Sequence, residues 1–419
     1  MDFLTAVQLT PKDAEISSIL SECGSTDHGE ELLAEDTDMA LQISDFPIQI
    51  SRFIENQDDN GLEYIAYEEF NGVEVISKGE SGCVSKAIWK KKNDEVFVVA
   101  LKKIYSYDNG GGAVTGVLKE LEAYKYTMAA GNTPVPPILK YHGLSQDPAT
   151  SDPLIVQEYA NYGNLWTYLQ RHFDQLTWSA KIKRLQRITE CLKAIHELGL
   201  VHGNLHSGNI LVHKDNTYIA DLGASKDDGV IYGVLPYVAP EIFMSGTYSM
   251  AADLYCFGII MWEMATGERP IADRAHDIEL AYDICNGLRP ALPDHVPACY
   301  ADLMMQCWDS DPKNRPIAAS AYNTLGSWIA DGKYIEELNA AEGRKSTIRK
   351  EQKTIHPEAI YVSKSLNSLI ELTCQKYNLD QESQLNEVEA EERADEHEYN
   401  SDHELQINIE DEEHAGEHK

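Results

Sequence analysis

The sequence predicts an α+β protein with a small antiparallel β lobe followed by a larger helical lobe. Three observations lead there. From about Ile65 to Leu101 short apolar groups alternate with polar ones, the period of half-buried strands. Beyond Asn164 the apolar spacing changes to threes and fours, the period of helices with one buried face. The acidic excess is confined to the two ends, so the middle has an ordinary globular composition. With 419 residues and 43% hydrophobic content the chain can bury a sizeable core.

Taken in order, residues 1–60 are an acidic segment in which Thr10-Pro11 suits the start of a short helix through Leu20. The rest of it is expected to be disordered. Val73 and Val75, then Cys83-Val84 with Ala87-Ile88-Trp89, then Val96–Leu101, read as three successive strands. Asn93-Asp94 favour a reversal between the second and third, which leaves Lys90–Lys92 as a solvated tip. A glycine connector at Asn109–Gly112 precedes a helix over about Val114–Met128, and two more strands are expected at Ile138–Leu144 and Leu154–Tyr159. In Trp178–Glu197, Ile182, Leu185, Ile188, Leu192 and Ile195 share one helix face; Met250–Thr266 and Cys299–Trp308 read as further core helices. Residues 65–330 therefore form the expected domain, 331–379 a helical or extended C-terminal extension, and 380–419 an acidic disordered tail.

Of the net charge of −34, residues 1–60 carry −12 and residues 380–419 carry −14, which leaves −8 for the middle. An acidic surface repels nucleic acid and anionic membrane, so neither is an expected partner. The eight cysteines include no C-x-x-C pair and suggest reduced thiols in a cytosol or nucleus, and a cytoplasmic protein is expected. The longest apolar run, Cys256–Trp262, falls far short of a membrane span. The fourteen histidines show no i, i+4 pair with a third ligand, so no zinc site is expected.

Seven short segments stand out, most of them for their chemistry and the last two for structure. Ile76-Ser77-Lys78-Gly79-Glu80-Ser81-Gly82-Cys83-Val84 is a glycine-rich turn between two strands, where missing Cβ atoms let backbone N–H groups approach an anion. Val99-Ala100-Leu101-Lys102 puts a lysine on the next strand, and Glu120 lies in the helix that follows. Ile155-Val156-Gln157-Glu158-Tyr159-Ala160 ends a strand. His202-Gly203-Asn204-Leu205-His206-Ser207-Gly208-Asn209-Ile210-Leu211 is followed by Asp221-Leu222-Gly223. Ala239-Pro240-Glu241 precedes Arg315 in Asp311-Pro312-Lys313-Asn314-Arg315-Pro316.

In this order and spacing the segments resemble the eukaryotic protein-kinase family over roughly residues 65–330, and most of all its tyrosine-kinase-like group. The resemblance implies the bilobal kinase fold, ATP and Mg²⁺ as cofactors, and a protein as substrate or partner. It implies a nucleotide site lined by Ile76, Ser77, Gly79, Gly82, Val84, Ala100, Lys102, Glu158, Ala160 and Leu211, with Gln157 setting its depth. Lys102 would reach the phosphates and pair with Glu120, while Asn209 and Asp221 would hold the metal. Glu241 and Arg315 would form a structural ion pair, and Asp253 would brace the catalytic loop.

The departures fall on the chemistry. Asn204 stands where the family has the aspartate that takes or steers the acceptor proton, and an amide cannot accept that proton at neutral pH. Gly203 replaces an arginine, Ser77 the first loop glycine, His206 a lysine and Val234 a threonine. Ser225 and Tyr232 are the hydroxyl candidates of the short activation segment before Tyr237. The expected function is that of an ATP-binding pseudokinase in signalling; the alternatives are a slow serine/threonine kinase and a nucleotide-free binding module.

Overall fold

A computed structural model describes residues 62–79, 82–105, 112–129, 137–222, 230–330, 332–345 and 354–380. The expectations for residues 1–60, for Ser225 and for the tail beyond Asp380 lie outside the described residues.

The small lobe is one six-stranded sheet. Strand β1 (Glu63–Tyr64) precedes β2 (Phe70–Lys78), β3 (Gly82–Lys90) and β4 (Val96–Ile104); helix α1 (Gly112–Ala129) then leads to β5 (Tyr141–Gln146) and β6 (Pro153–Glu158). The spatial order is β1-β5-β6-β4-β3-β2. All neighbours are antiparallel, as expected of the small lobe, except that the two-residue β1, which lies before the first expected strand, runs parallel to β5. The alternation works as read: Ala87, Trp89, Val99, Leu101 and Val156 point into one core with Ile65 and Phe70. Their alternate neighbours Ile88, Val96 and Val98 stay exposed. Strand β2 is an edge, so its Val73, Val75 and Ile76 remain largely in water. The strand expected from Ile138 begins instead at Tyr141, because Ile138 and Leu139 are buried outside the ladder.

The larger lobe is built on α2 (Leu165–His172), α3 (Trp178–Glu197), the β7 (Ile210–His213) and β8 (Asn216–Ile219) hairpin, β9 (Tyr232–Gly233), α4 (Pro240–Ser245), α5 (Met250–Thr266), α6 (Ile278–Cys285), α7 (Ala298–Cys307), α8 (Ala318–Ala330) and α9 (Gly332–Lys345). Thr177 caps α3, its side chain accepting from Ala180 N, and the five apolar positions expected on its inner face are fully buried. Helix α5 is buried from Ala252 through Thr266, as an all-round apolar helix must be. Ser249 caps its N-terminus and Gly267, at φ 70°, ends it. The last described stretch contains β10 (Lys364–Ser365) and a helix over residues 367–380, here α10.

Candidate functional site

Three elements converge between the lobes. Pairing of β3 with β4 sets Val84 opposite Lys102, and β4 with β6 sets Ala100 opposite Gln157. The Lys102 ammonium emerges from this sheet toward α1, where its Nζ donates to Glu120 Oε2 at 2.5 Å. It also donates to Asp221, which follows the β7–β8 hairpin. Burial opposes the charge on Lys102, but the carboxylates of Asp221 and Glu120 outweigh it and hold the pKa above the usual lysine range. Burial likewise opposes the Asp221 carboxylate, and the Lys102 ammonium nevertheless keeps its pKa below the ordinary value. Glu120 is fixed from its other side by the Tyr141 hydroxyl, which donates to Oε1 at 2.6 Å.

The loop between α3 and β7 is held from below. Asp253 accepts from His202 N at 2.9 Å and from Gly203 N at 3.0 Å, and His196 Nε2 lies 2.9 Å from the same carboxylate. Asp253 is buried, so these donors replace the water that it gives up. The His202 ring is 2.9 Å from the Ala220 carbonyl, tying the loop to the residue before Asp221. Asn209 Nδ2 donates to the Asn204 carbonyl at 3.0 Å, so an amide oxygen is left as the polar end of Asn209. Asn204 is buried, and its carboxamide meets a serine hydroxyl from the C-terminal stretch: Nδ2 lies 3.1 Å from Ser363 Oγ, which is 3.3 Å from Oδ1. Asp221 itself sits at φ 63°, an unusual conformation for a non-glycine residue and one that concentrates at functional sites.

The glycine-rich turn is sharper in its demands than its spacing suggested. A Cβ on Gly82 would lie 2.0 Å from the Lys103 carbonyl oxygen, so β3–β4 packing alone requires that glycine. Gly79 N donates to Gly82 O at 2.8 Å and closes the tip. Ile76, Ser77 and Gly79 are exposed, Val84 and Leu211 half-buried, and Ala100 and Ala160 buried. The Glu158 side chain turns outward to His213 Nε2 at 3.2 Å.

Across the larger lobe, Arg315 donates to both Glu241 oxygens, Nη1 to Oε1 at 2.6 Å and Nη2 to Oε2 at 2.8 Å. Residues 70–325 match the family model described as protein tyrosine and serine/threonine kinase. This chain belongs to that family. Similar proteins include the probable serine/threonine-protein kinase roco5 of Dictyostelium discoideum, 28% identical over 308 residues, which cover 68% of this chain and 10% of that protein. Mitogen-activated protein kinase kinase kinase 7 of Bos taurus is 28% identical over 268 residues, 61% of this chain and 43% of that kinase. The chain thus spans less than half the length of these relatives.

Within the kinase domain, the structure brings Lys102, Glu120 and Asp221 into one hydrogen-bonded cluster, with Asn204 and Asn209 joined on the neighbouring loop. A carboxylate at Asp221 and an amide oxygen at Asn209 make an all-oxygen donor set, which suits a hard Mg²⁺ ion that takes its remaining ligands from water and phosphate. No cluster of three His, Cys, Asp or Glu side chains that could hold a metal occurs among the described residues. The Lys102 ammonium supplies the positive charge that a phosphate needs. The residues fit Mg-ATP. No helix among the described residues is long and apolar enough to cross a membrane.

Sequence reasoning missed Ser363. Val362 and Leu366 flank a stretch too short to register as a strand, and nothing in it predicts a contact with Asn204 159 residues away.

Proposed function

We infer that residues 65–330 form a signalling domain that holds Mg-ATP but transfers its phosphate poorly. The observation that carries this reading is the Lys102 ammonium shared between Glu120 and Asp221 beside a loop whose Asn204 carries no charge. In this reading Mg²⁺ supplies charge neutralisation to the phosphates. Lys102 fixes the phosphates, Glu120 fixes Lys102, and Asp221 with Asn209 faces the metal. Val84, Ala100 and Leu211 would enclose the adenine, with backbone groups of Glu158 and Ala160 as its polar partners, and Ile76, Ser77, Gly79 and Gly82 would cover the triphosphate.

The missing piece is a proton acceptor. A carboxylate at position 204 would take or steer the acceptor hydroxyl proton, whereas the neutral carboxamide can only hydrogen-bond to it. General-base help is typically worth about 10²–10⁴ in rate. Positioning and electrostatics carry most of phosphoryl transfer, so slow serine/threonine transfer is the second reading, favoured by the serine/threonine kinases among the similar proteins.

Thermal denaturation with and without millimolar Mg-ATP tests the binding half. Wild type is expected to gain stability as ligand saturates the folded state, and Lys102→Ala to lose most of that gain. Equal melting temperatures for wild type with and without nucleotide would reject the reading in favour of a nucleotide-free module.

A further inference from the structure

The C-terminal stretch from His356 onward does not leave the domain but runs across the front of the larger lobe and into the loop that holds Asn204. His356 N donates to Ala272 O at 2.8 Å, His276 N to Glu358 O at 3.1 Å, and the Tyr361 hydroxyl to Pro270 O at 2.8 Å. The Arg269 guanidinium is sandwiched between the rings of Tyr361 and Trp166, 4.6 and 4.0 Å from their centroids. The next residue, Val362, comes under the glycine-rich turn: its Cγ1 lies 3.9 Å from where a Cβ on Gly79 would stand. Ser363 then meets both ends of the Asn204 carboxamide.

Beyond Ser363 the chain adds a strand to the activation segment. Lys364 pairs with Gly233 and Ser365 with Tyr232 in an antiparallel ladder, and Leu366 N donates to Ile231 O at 2.8 Å. Leu366 is fully buried and occupies the space over Gly233, where a Cβ would come within 2.8 Å of its Cδ1. Asn367 Oδ1 accepts from Ile231 N at 2.8 Å, and α10 continues along α6 through the Lys376–Glu279 ion pair at 2.5 Å.

These contacts are those of a bound peptide: strand addition supplies the main-chain bonds, the Leu366 side chain is buried as an anchor, and one hydroxyl reaches the loop residue that would handle an acceptor proton. We propose that residues 356–367 are a built-in occupant of the acceptor-peptide groove, with Ser363 in the acceptor position and Leu366 as its anchor, so that the groove is closed to peptides in trans. Because Asn204 cannot take the Ser363 proton, the hydroxyl stays a ligand, hydrogen-bonded to the carboxamide, and the strap is not consumed. The inference rests on reading position 204 as the acceptor site, but its hydrogen-exchange and peptide-binding readouts involve no nucleotide.

The experiment uses the full chain and its Leu366→Asp variant, which sets a charge in a fully buried apolar site. Hydrogen exchange reports whether residues 358–370 and 231–233 are protected. Fluorescence anisotropy reports binding of a labelled peptide with the sequence of residues 358–370. A groove filled in about 99 of 100 wild-type molecules would weaken peptide binding about 100-fold, so Leu366→Asp is expected to bind at least tenfold more tightly than wild type and to lose protection in both segments. Exchange in α5 controls for folding, and Asn367→Ala, which removes the bond to Ile231, is expected to act in the same direction to a smaller degree. An unprotected strap in wild type, equal peptide affinity in both proteins, or lost protection without any gain in affinity would each overturn the proposal. So would stoichiometric phosphate on Ser363 after incubation of the wild type with Mg-ATP, since the strap would then be a substrate. Failure of Mg-ATP to stabilise the protein would reject the nucleotide reading and leave these outcomes untouched.

Discussion

His206, where the family resemblance expects a lysine, is buried, and its Nδ1 accepts from Gly208 N at 3.1 Å, so the ring caps its own loop as the neutral species. Burial pushes its pKa down to about 3, against 6.5 for an exposed imidazole. Between those values the unfolded chain binds a proton that the folded chain excludes, so stability rises with pH. The contribution is fully present above about pH 6.5 and is lost as pH falls toward 3, at up to about 1.4 kcal/mol per pH unit. His206→Asn keeps an acceptor for Gly208 N and removes the titration. Urea midpoints at pH 7 and pH 5 should fall less between the two conditions in the variant than in wild type; an equal fall would mean that other groups dominate the acid response. At the same scale, the pairing of Lys102 with Glu120 was legible in the sequence, because Lys102 lies in a short strand motif and Glu120 is a carboxylate in the helix that follows the glycine connector. Asn204 was legible as a departure, though its partner was not.

At the scale of elements, the strongest expectations came from periodicity, and those elements proved the easiest to place. Helix α3 runs from Trp178 to Glu197 as the spacing of its five apolar residues predicts, and α5 from Met250 to Thr266. Leu185→Ala should cost about 2–5 kcal/mol in chemical denaturation, since a fully buried leucine leaves a cavity. Elements of two to four residues were not legible. The β7–β8 hairpin and the β9–β10 ladder owe their existence to tertiary contacts rather than to local preference, and the start of β5 was misplaced because Ile138 and Leu139 are buried without being paired. The bidentate Arg315–Glu241 pair ties α4 to the turn before α8 with the Arg315 side chain wholly inaccessible. Arg315→Ala, which removes a buried guanidinium and leaves the half-buried Glu241 carboxylate without its partner, should lower stability by about 1.5–3 kcal/mol. A loss below about 1 kcal/mol would show the pair to be solvated.

For the molecule as a whole, the division into a β lobe and a helical lobe follows from the change of period near Asn164, and the family follows from motifs spread along 256 residues of matched chain. What could not be read in advance was the return of residues 356–367 to the site, since a contact across 159 residues leaves no periodic trace. The molecule that results combines a charged, half-buried lysine cluster suited to a triphosphate with a neutral residue where the acceptor alcohol would be readied. The direct measurement is γ-phosphate transfer from radiolabelled Mg-ATP to a protein acceptor, compared between Asn204 and Asn204→Asp proteins that both carry Leu366→Asp to unseat the strap. Restoring the carboxylate is predicted to raise the rate by about 10²–10⁴. Equal and robust transfer by both proteins would contradict the account, because position 204 would then have no part in handling the proton.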